Sequence, residues 1–253
     1  RREAEEADAL QAFVLMHSIG GGTGSGLGTR MLGLLEDDYP TAQRLALSVL
    51  PAKDGGDVIT SPYNVTLALA ELAEHAHVCV PLENAALAGV AAVEAKTAGR
   101  QPAPSSSSSP TGFGEINMVV GEAVSGLVAS ARFGGELNVD LGEVVTNLVP
   151  HPETNLVCLG MVTGRKDRMG RSKIPVSRAM TEVQSSERSL CGADLRGGLT
   201  AAVAALGRGA VAVEDLSAPL LKGGRFVHWN RGAVKLGLCQ RPPPGAAYSV
   251  LLM

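Results

Sequence analysis

Apolar and polar positions in the first part of the chain switch repeatedly between a strand period and a helix period. After a polar-faced helical opening, RREAEEADAL, the run AFVLMHSI at 12–19 is short, apolar and bounded by glycines, as a buried parallel strand is. A helical period follows over about 23–36, then LALSVLP at 45–51 reads as a second strand and PAKDGGD as a loop. SPYNVTLALAELAEHA opens with Ser-Pro, a favourable N-cap and first-turn pair, and predicts a helix. VCVPL at 78–82 is a third strand and NAALAGVAAVEAK another helix. The repeating βα order predicts a doubly wound parallel sheet.

Beyond it the pattern changes. AGRQPAPSSSSSPTG at 98–112 places five serines among prolines and predicts a solvated loop, whose length adds little to the cost of chain closure. FGEINMVVGEAVSGLVASARF repeats apolar residues at Ile116, Val119, Val120, Val124, Leu127 and Val128, predicting a long central helix with Gly121 and Gly126 inside it. Then LVCLGMV, LTAAVAALGRG, RFVHWNRG and KLGLCQR read as strands, with one helix over about 175–189 and an apolar, strand-like end, SVLLM. The expected fold class is therefore α/β, an incomplete doubly wound nucleotide-binding sheet plus an α+β second domain joined by the central helix. The expected boundaries are 1–112, 113–133 and 134–253.

Composition narrows the function classes. Hydrophobic residues make up 45% but aromatics only 3%, so the core is built largely from Ala, Val and Leu. A net charge of −3 gives no electrostatic case for nucleic acid. No uncharged apolar run approaches the ~18 residues of a membrane-spanning helix, so no membrane insertion is expected. The four cysteines are far apart without a CxxC pair, which argues against zinc or a disulfide framework and suits a reducing compartment. The first residue is Arg1, and both ends cut into structured patterns, so the chain reads as a segment of a longer protein.

The candidate chemistry is HSIGGGTGSGLGTRM. A glycine-rich turn between a strand and a helix start aims backbone N–H groups, helped by the helix dipole, at an anion. Gly20, Gly21, Gly22, Gly24 and Gly26 permit close approach, while Thr23 and Ser25 add hydroxyls. A tight turn with nothing bound is the plainer alternative. The dinucleotide fingerprint fails in every register, and Leu27 stands where a Walker A loop needs lysine. A lysine-free loop relies on backbone donors, the dipole and a metal carried with the ligand. His17, just before the loop, reads as a core residue.

GGGTGSG behind a strand resembles the tubulin signature, and the similarity runs in register from about Leu10 to Leu252. The resemblance implies that Gly20, Gly21, Gly22, Thr23, Gly24 and Ser25 hold the phosphates of GTP or GDP, with Mg2+ held mainly through the nucleotide rather than by a protein metal site. It implies Asp57 at the ribose, with Ser61 standing where alpha and beta tubulins carry a second acidic residue. It implies Asn84 and Asn117 at the guanine edge, and Phe113 where those tubulins stack a Tyr on the base. Taken singly, the two asparagines also suit helix capping or surface positions, and Asp57 a turn.

ELNVDLGEVVTNLVP adds Asn138, Asp140 and Glu143. From the residues alone, Asn138 is an N-cap and the acids favour a helix N-terminus. The resemblance implies that this stretch meets the nucleotide of the next subunit, with Glu143 as the acid that activates water in trans. Among tubulins, GGDVITSPYN, LAELAEHAHVCVPLEN, the serine-rich insertion and SARFGGELNVDLGEVVTNLVPHP are most similar to the epsilon type, with delta second. That implies other tubulin-family subunits and centriolar or basal-body proteins as partners, in the cytoplasm and cytoskeleton, at the centriole, basal body or pericentriolar region. The basic loop GRKDRMGRSK reads as a solvated loop or a docking patch for an acidic surface. Without the family's first strands, the strand at 12–19 would have an uncovered edge, predicting weak GTP binding by the chain alone. The alternatives are a soluble nucleotide-cofactor enzyme on a Rossmann-like sheet and a bacterial tubulin-like division GTPase.

Overall fold

The structure, a computed structural model, describes residues 2–51, 58–98, 110–166, 172, 174–195, 197–223 and 225–253. Its elements run α1 (Arg2–Glu6), β1 (Ala12–Ser18), a π-helical turn (Thr23–Leu27) leading into α2 (Gly28–Asp38), β2 (Gln43–Leu50), α3 (Ser61–His75), β3 (Val78–Glu83) and α4 (Asn84–Ala98). There follow α5 (Pro110–Leu127), α6 (Ala129–Arg132), α7 (Leu141–Leu148), β4 (Gly160–Arg165), α8 (Val176–Glu182), β5 (Val203–Gly209), α9 (Val213–Gly223), β6 (Val234–Cys239) and β7 (Ala246–Leu252). They pack as two units, Arg1–Pro81 with Asp140–Val157, and Leu82–Val139 with Cys158–Met253.

The sheet β1-β2-β3 places the most continuously buried strand, β2, in the middle, with β1 and β2 parallel and His17 level with Ser48. Ile19, Leu32, Ala46, Ala68, Leu72 and Cys79 form the apolar layer between this sheet and helices α2 and α3, while α7 also packs on β2. β1 is an edge strand, and alternate side chains Val14 and Met16 are exposed, Met16 at 56%. Helix α7 forms because Leu141, Val144, Val145 and Leu148 share one buried face and Asp140 caps its start.

In the second unit the four-stranded sheet β4-β7-β5-β6 is mixed, with β5 and β6 parallel and β7 antiparallel to both neighbours. One face carries Val162, Ala205, Tyr248, Val250 and Leu252 against Met180, Val183, Leu216 and Leu220 of the α8 and α9 region. The other face meets α5, where Gly126 lies so close to Leu251 that an added Cβ would fall 2.6 Å from its Cδ1. A mixed α/β fold with a parallel sheet and a second α+β part is thus what the chain forms.

Four local expectations change. The central helix is interrupted at Val128, so α5 and α6 are separate helices. RFVHWNRG forms no strand; Phe226 makes a single bridge to Thr200 before the chain turns. The helix expected over 175–189 stops at Glu182, and the sequence reading missed α9, which holds Pro219 inside it. Ser61 is the first helical residue of α3 rather than its cap; Thr60 occupies that place without a side-chain hydrogen bond.

Candidate functional site

The glycine loop follows the end of β1 and enters the π turn with right-handed helical backbone, Gly22 at φ −65° and ψ −43°. None of its glycines has a positive φ. Their reason is space, and they divide into two groups. A Cβ on Gly24 would lie 1.9 Å from the Ser18 carbonyl oxygen, one on Gly28 2.8 Å from His17 Nδ1, and one on Gly20 3.1 Å from Ser61 Oγ. Gly21, Gly22 and Gly26 have nothing within 4 Å of that position. The first group packs the loop onto the sheet; the second leaves room for something to approach.

Hydroxyl and ring groups fix the loop from below. Ser25, expected at the phosphate, donates its hydroxyl to the Gly21 carbonyl at 2.6 Å. Thr29 Oγ1 donates to the Ser25 carbonyl at 2.6 Å, so both hydroxyls stiffen the turn. Thr23 remains exposed at the first position of the turn. His17 is half-buried, with Nδ1 2.7 Å from the Gly24 carbonyl and Nε2 2.8 Å from Ser48 Oγ. A carbonyl only accepts, so Nδ1 carries the proton and neutral Nε2 accepts from Ser48. Cys79 in turn donates its thiol to Ser48 Oγ at 3.6 Å, and burial pushes that thiol up from its ordinary pKa, keeping it a donor. From α3, Asn64 Nδ2 donates to the Gly20 carbonyl at 3.1 Å. His17 and Asn64 were not in the expected site; the strand register and the SPYN helix start were the signals that could have found them.

The second acidic constellation divides between the units. Asp140 Oδ1 accepts the Glu143 N–H at 2.7 Å and is the N-cap of α7, the place the residue pattern gave to Asn138. Two cap-type residues compete there, and the apolar face starting at Leu141 selects the nearer one. Glu143 is exposed in the first turn, where a helix dipole favours a carboxylate. Asn138 is exposed and belongs to the other unit.

Within the second unit, Asn84 opens α4, and Phe113 and Asn117 lie one helical turn apart on α5, which packs against α4. All three are exposed, Phe113 at 48%. Asp57 lies outside the described residues, as do most of the serine-rich loop and most of the basic loop. A cleft of about 550 Å³ in this unit is lined by Thr97, Arg178, Glu182 and Arg188 among others, and by none of the expected site residues. Among the described residues no cluster of three acids, histidines or cysteines could hold a metal, and no helix is long and apolar enough to cross a membrane.

A parallel sheet whose first strand feeds a packed glycine turn and a helix start is an α/β arrangement that suits an anion at the turn. Residues 1–92 match the model of the Tubulin/FtsZ family, GTPase domain. Over 260 aligned positions, spanning all of this chain and 56% of the relative, the chain is 32% identical to a tubulin beta-1 chain of Glycine max. The chain spans just over half the length of that relative.

Proposed function

We propose that this chain is part of a GTP-binding cytoskeletal subunit of the tubulin type, most similar to epsilon tubulin and acting at centrioles or basal bodies. The observation that carries the reading is the division of the loop glycines. Gly20, Gly24 and Gly28 are spent on packing, whereas Gly21 and Gly22 have open space at the start of a helical turn, where the first N–H groups have no intrahelical partner. That cradle fits a phosphate. The amides of Gly21, Gly22, Thr23 and Gly24, with the Thr23 hydroxyl, would hold it, while Ser25 stiffens the turn beneath. Bound GTP brings the transferable phosphoryl group, and its Mg2+ neutralises phosphate charge through the nucleotide. Asp57 is proposed at the ribose, Asn84 and Asn117 as readers of the guanine edge, and Phe113 as a stacking surface.

Glu143 would serve a neighbouring subunit's nucleotide by orienting and deprotonating water, with Asp140 holding its backbone and Asn138 on the preceding loop. Exposed Leu27 at the end of the π turn, Met31 and Leu34 on α2, and Ile59, Tyr63 and Leu67 around the start of α3 support contact with other tubulin-family subunits.

The test is a titration of the chain with fluorescent GTP against unlabelled GDP and ATP. GDP should compete and ATP should not. Gly22→Val should leave the fold intact, because its Cβ meets nothing, and weaken binding at least about tenfold, or ~1.4 kcal/mol. Equal competition by ATP, or full binding by the valine variant, would overturn the reading. In assemblies with tubulin, Glu143→Ala should keep nucleotide binding and slow turnover about a hundredfold; unchanged turnover removes Glu143 from the chemistry.

A further inference from the structure

Cys158 and Cys191 are 33 positions apart in sequence but belong to neighbouring backbone segments of the second unit. Leu190 N–H donates to the Leu159 carbonyl at 2.8 Å, Met161 N–H donates to the Arg188 carbonyl at 3.0 Å, and Gly160 bridges Ser189 in antiparallel sense. That register sets Gly160 and Ser189 as a non-hydrogen-bonded pair. Cys158 and Cys191 each stand next to a residue of the hydrogen-bonded Leu159–Leu190 pair, so the two segments bring them close. The two thiols are near enough to shift each other's titration in opposite directions.

Both cysteines are reduced and half-buried, so a small reagent can reach them, whereas Cys79 and Cys239 are buried. Ser189 Oγ lies 3.4 Å from the Cys191 sulfur, and Gly192, at φ +71°, turns the chain directly after it. The hydrogen bond from Cys158, together with those from Ser189 and the backbone, draws the Cys191 thiol below its ordinary pKa, while Cys158, as the donor, is pushed up. The pair is therefore asymmetric, with Cys191 the attacking thiolate and Cys158 the resolving thiol.

We propose that Cys158 and Cys191 are a redox-active dithiol that closes to an intramolecular disulfide on exchange with a low-molecular-weight disulfide such as oxidised glutathione. The Cys191 thiolate attacks one sulfur of glutathione disulfide; the S–S bond breaks and glutathione thiolate leaves. Cys158, losing its proton to solvent, then attacks the Cys191 sulfur of the mixed disulfide and expels the second glutathione thiolate. Two protein thiols are oxidised and one glutathione disulfide is reduced to two glutathiones. The bridge staples the strand entering β4 to the segment whose Leu190 carbonyl accepts the Glu83 N–H, one residue before Asn84.

The test treats the native chain with oxidised glutathione, alkylates the remaining thiols and maps peptides without reduction. The expected product joins the peptides containing Cys158 and Cys191, with loss of two hydrogens per chain and near-complete loss of alkylation at both. A Cys79→Ser, Cys239→Ser double variant should crosslink as the parent does. Cys158→Ser should trap glutathione on Cys191. Absence of the 158–191 crosslink, a crosslink to either buried cysteine, or glutathione retained elsewhere in Cys158→Ser would overturn the assignment.

Discussion

The two sheets bury polar side chains beneath their helices in opposite ways. Under the glycine loop, Cys79, Ser48 and His17 pass hydrogen bonds in one direction to the Gly24 carbonyl, and the neutral forms satisfy the whole line. On the α5 side of the second sheet, Arg165 bonds Glu122 at 2.6 Å and Glu94 at 3.1 Å, so two carboxylates share one cation. Glu94 is 5% exposed and its Oε1 has no hydrogen-bond partner among the described residues. The first arrangement fixes a loop without needing charge. The second holds charge that burial opposes.

The sharpest way to break the first arrangement is through its glycines. Gly24→Ala forces a Cβ into the Ser18 carbonyl, a backbone atom that cannot swing aside. It should cost about 3 kcal/mol or more, read as a lower urea midpoint, because overpacking against rigid backbone exceeds the usual methyl penalty. Gly22→Ala, two residues away in open space, should stay within about 1 kcal/mol of the parent. Equal losses for both would mean the two classes of glycine do not exist.

His17→Leu comes next. It keeps bulk beneath the loop but leaves the Gly24 carbonyl and the Ser48 hydroxyl without their ring partner. The expected cost is about 1–3 kcal/mol, with loosened protection of the 20–28 amides in hydrogen exchange. A stability loss with loop protection unchanged would separate His17 from the loop.

Sequence made the βα order, the glycine turn and the α7 helix legible, because each rests on local periodicity or turn chemistry. What it concealed depends on approach between distant residues. GGGTGSG looks uniform, yet only the Ser18 carbonyl, the His17 ring and Ser61 decide which glycines are structural. Asn138 and Asp140 are equal cap candidates until the buried face of α7 sets the start. Pro219 hid α9, and β-branched, aromatic RFVHWNRG mimicked a strand although the fold gives it only one bridge. The closeness of Cys158 and Cys191 follows from the isolated bridge between Gly160 and Ser189, invisible to any spacing rule.

The charged arrangement can be sharpened by pH. Burial, then the neighbouring Glu94, pushes the Glu122 carboxyl above its usual range against the pull of Arg165. The folded chain therefore holds this proton where the unfolded chain has released it, and the group's contribution falls as pH rises from about 4.5. Glu122→Gln resembles the protonated form. It should remove that downward slope and leave the variant relatively more stable at neutral pH, measured by urea midpoints across pH. A steeper loss at neutral pH would show that Arg165 outweighs burial.

The smallest expected effect has the opposite sign and lies in the first unit. His77 Nδ1 accepts the Arg44 N–H at 3.0 Å, which only a neutral ring can do. Burial, followed by the charge of Arg44, draws this imidazole below its ordinary pKa. As pH falls below about 6.5, the unfolded chain takes up a proton that the folded chain refuses, so stability drops toward acid. Glu36 adds to the same trend at lower pH, because its hydrogen bond with His75 and the charge of Arg44 hold its exposed carboxyl below the usual range. His77→Asn offers a non-titrating oxygen to the Arg44 amide and should flatten the slope just below pH 6.5 while leaving the Glu36 fall in place. If the asparagine variant keeps the full slope, the acid sensitivity belongs to another group and the fold does not hold the His77 ring neutral.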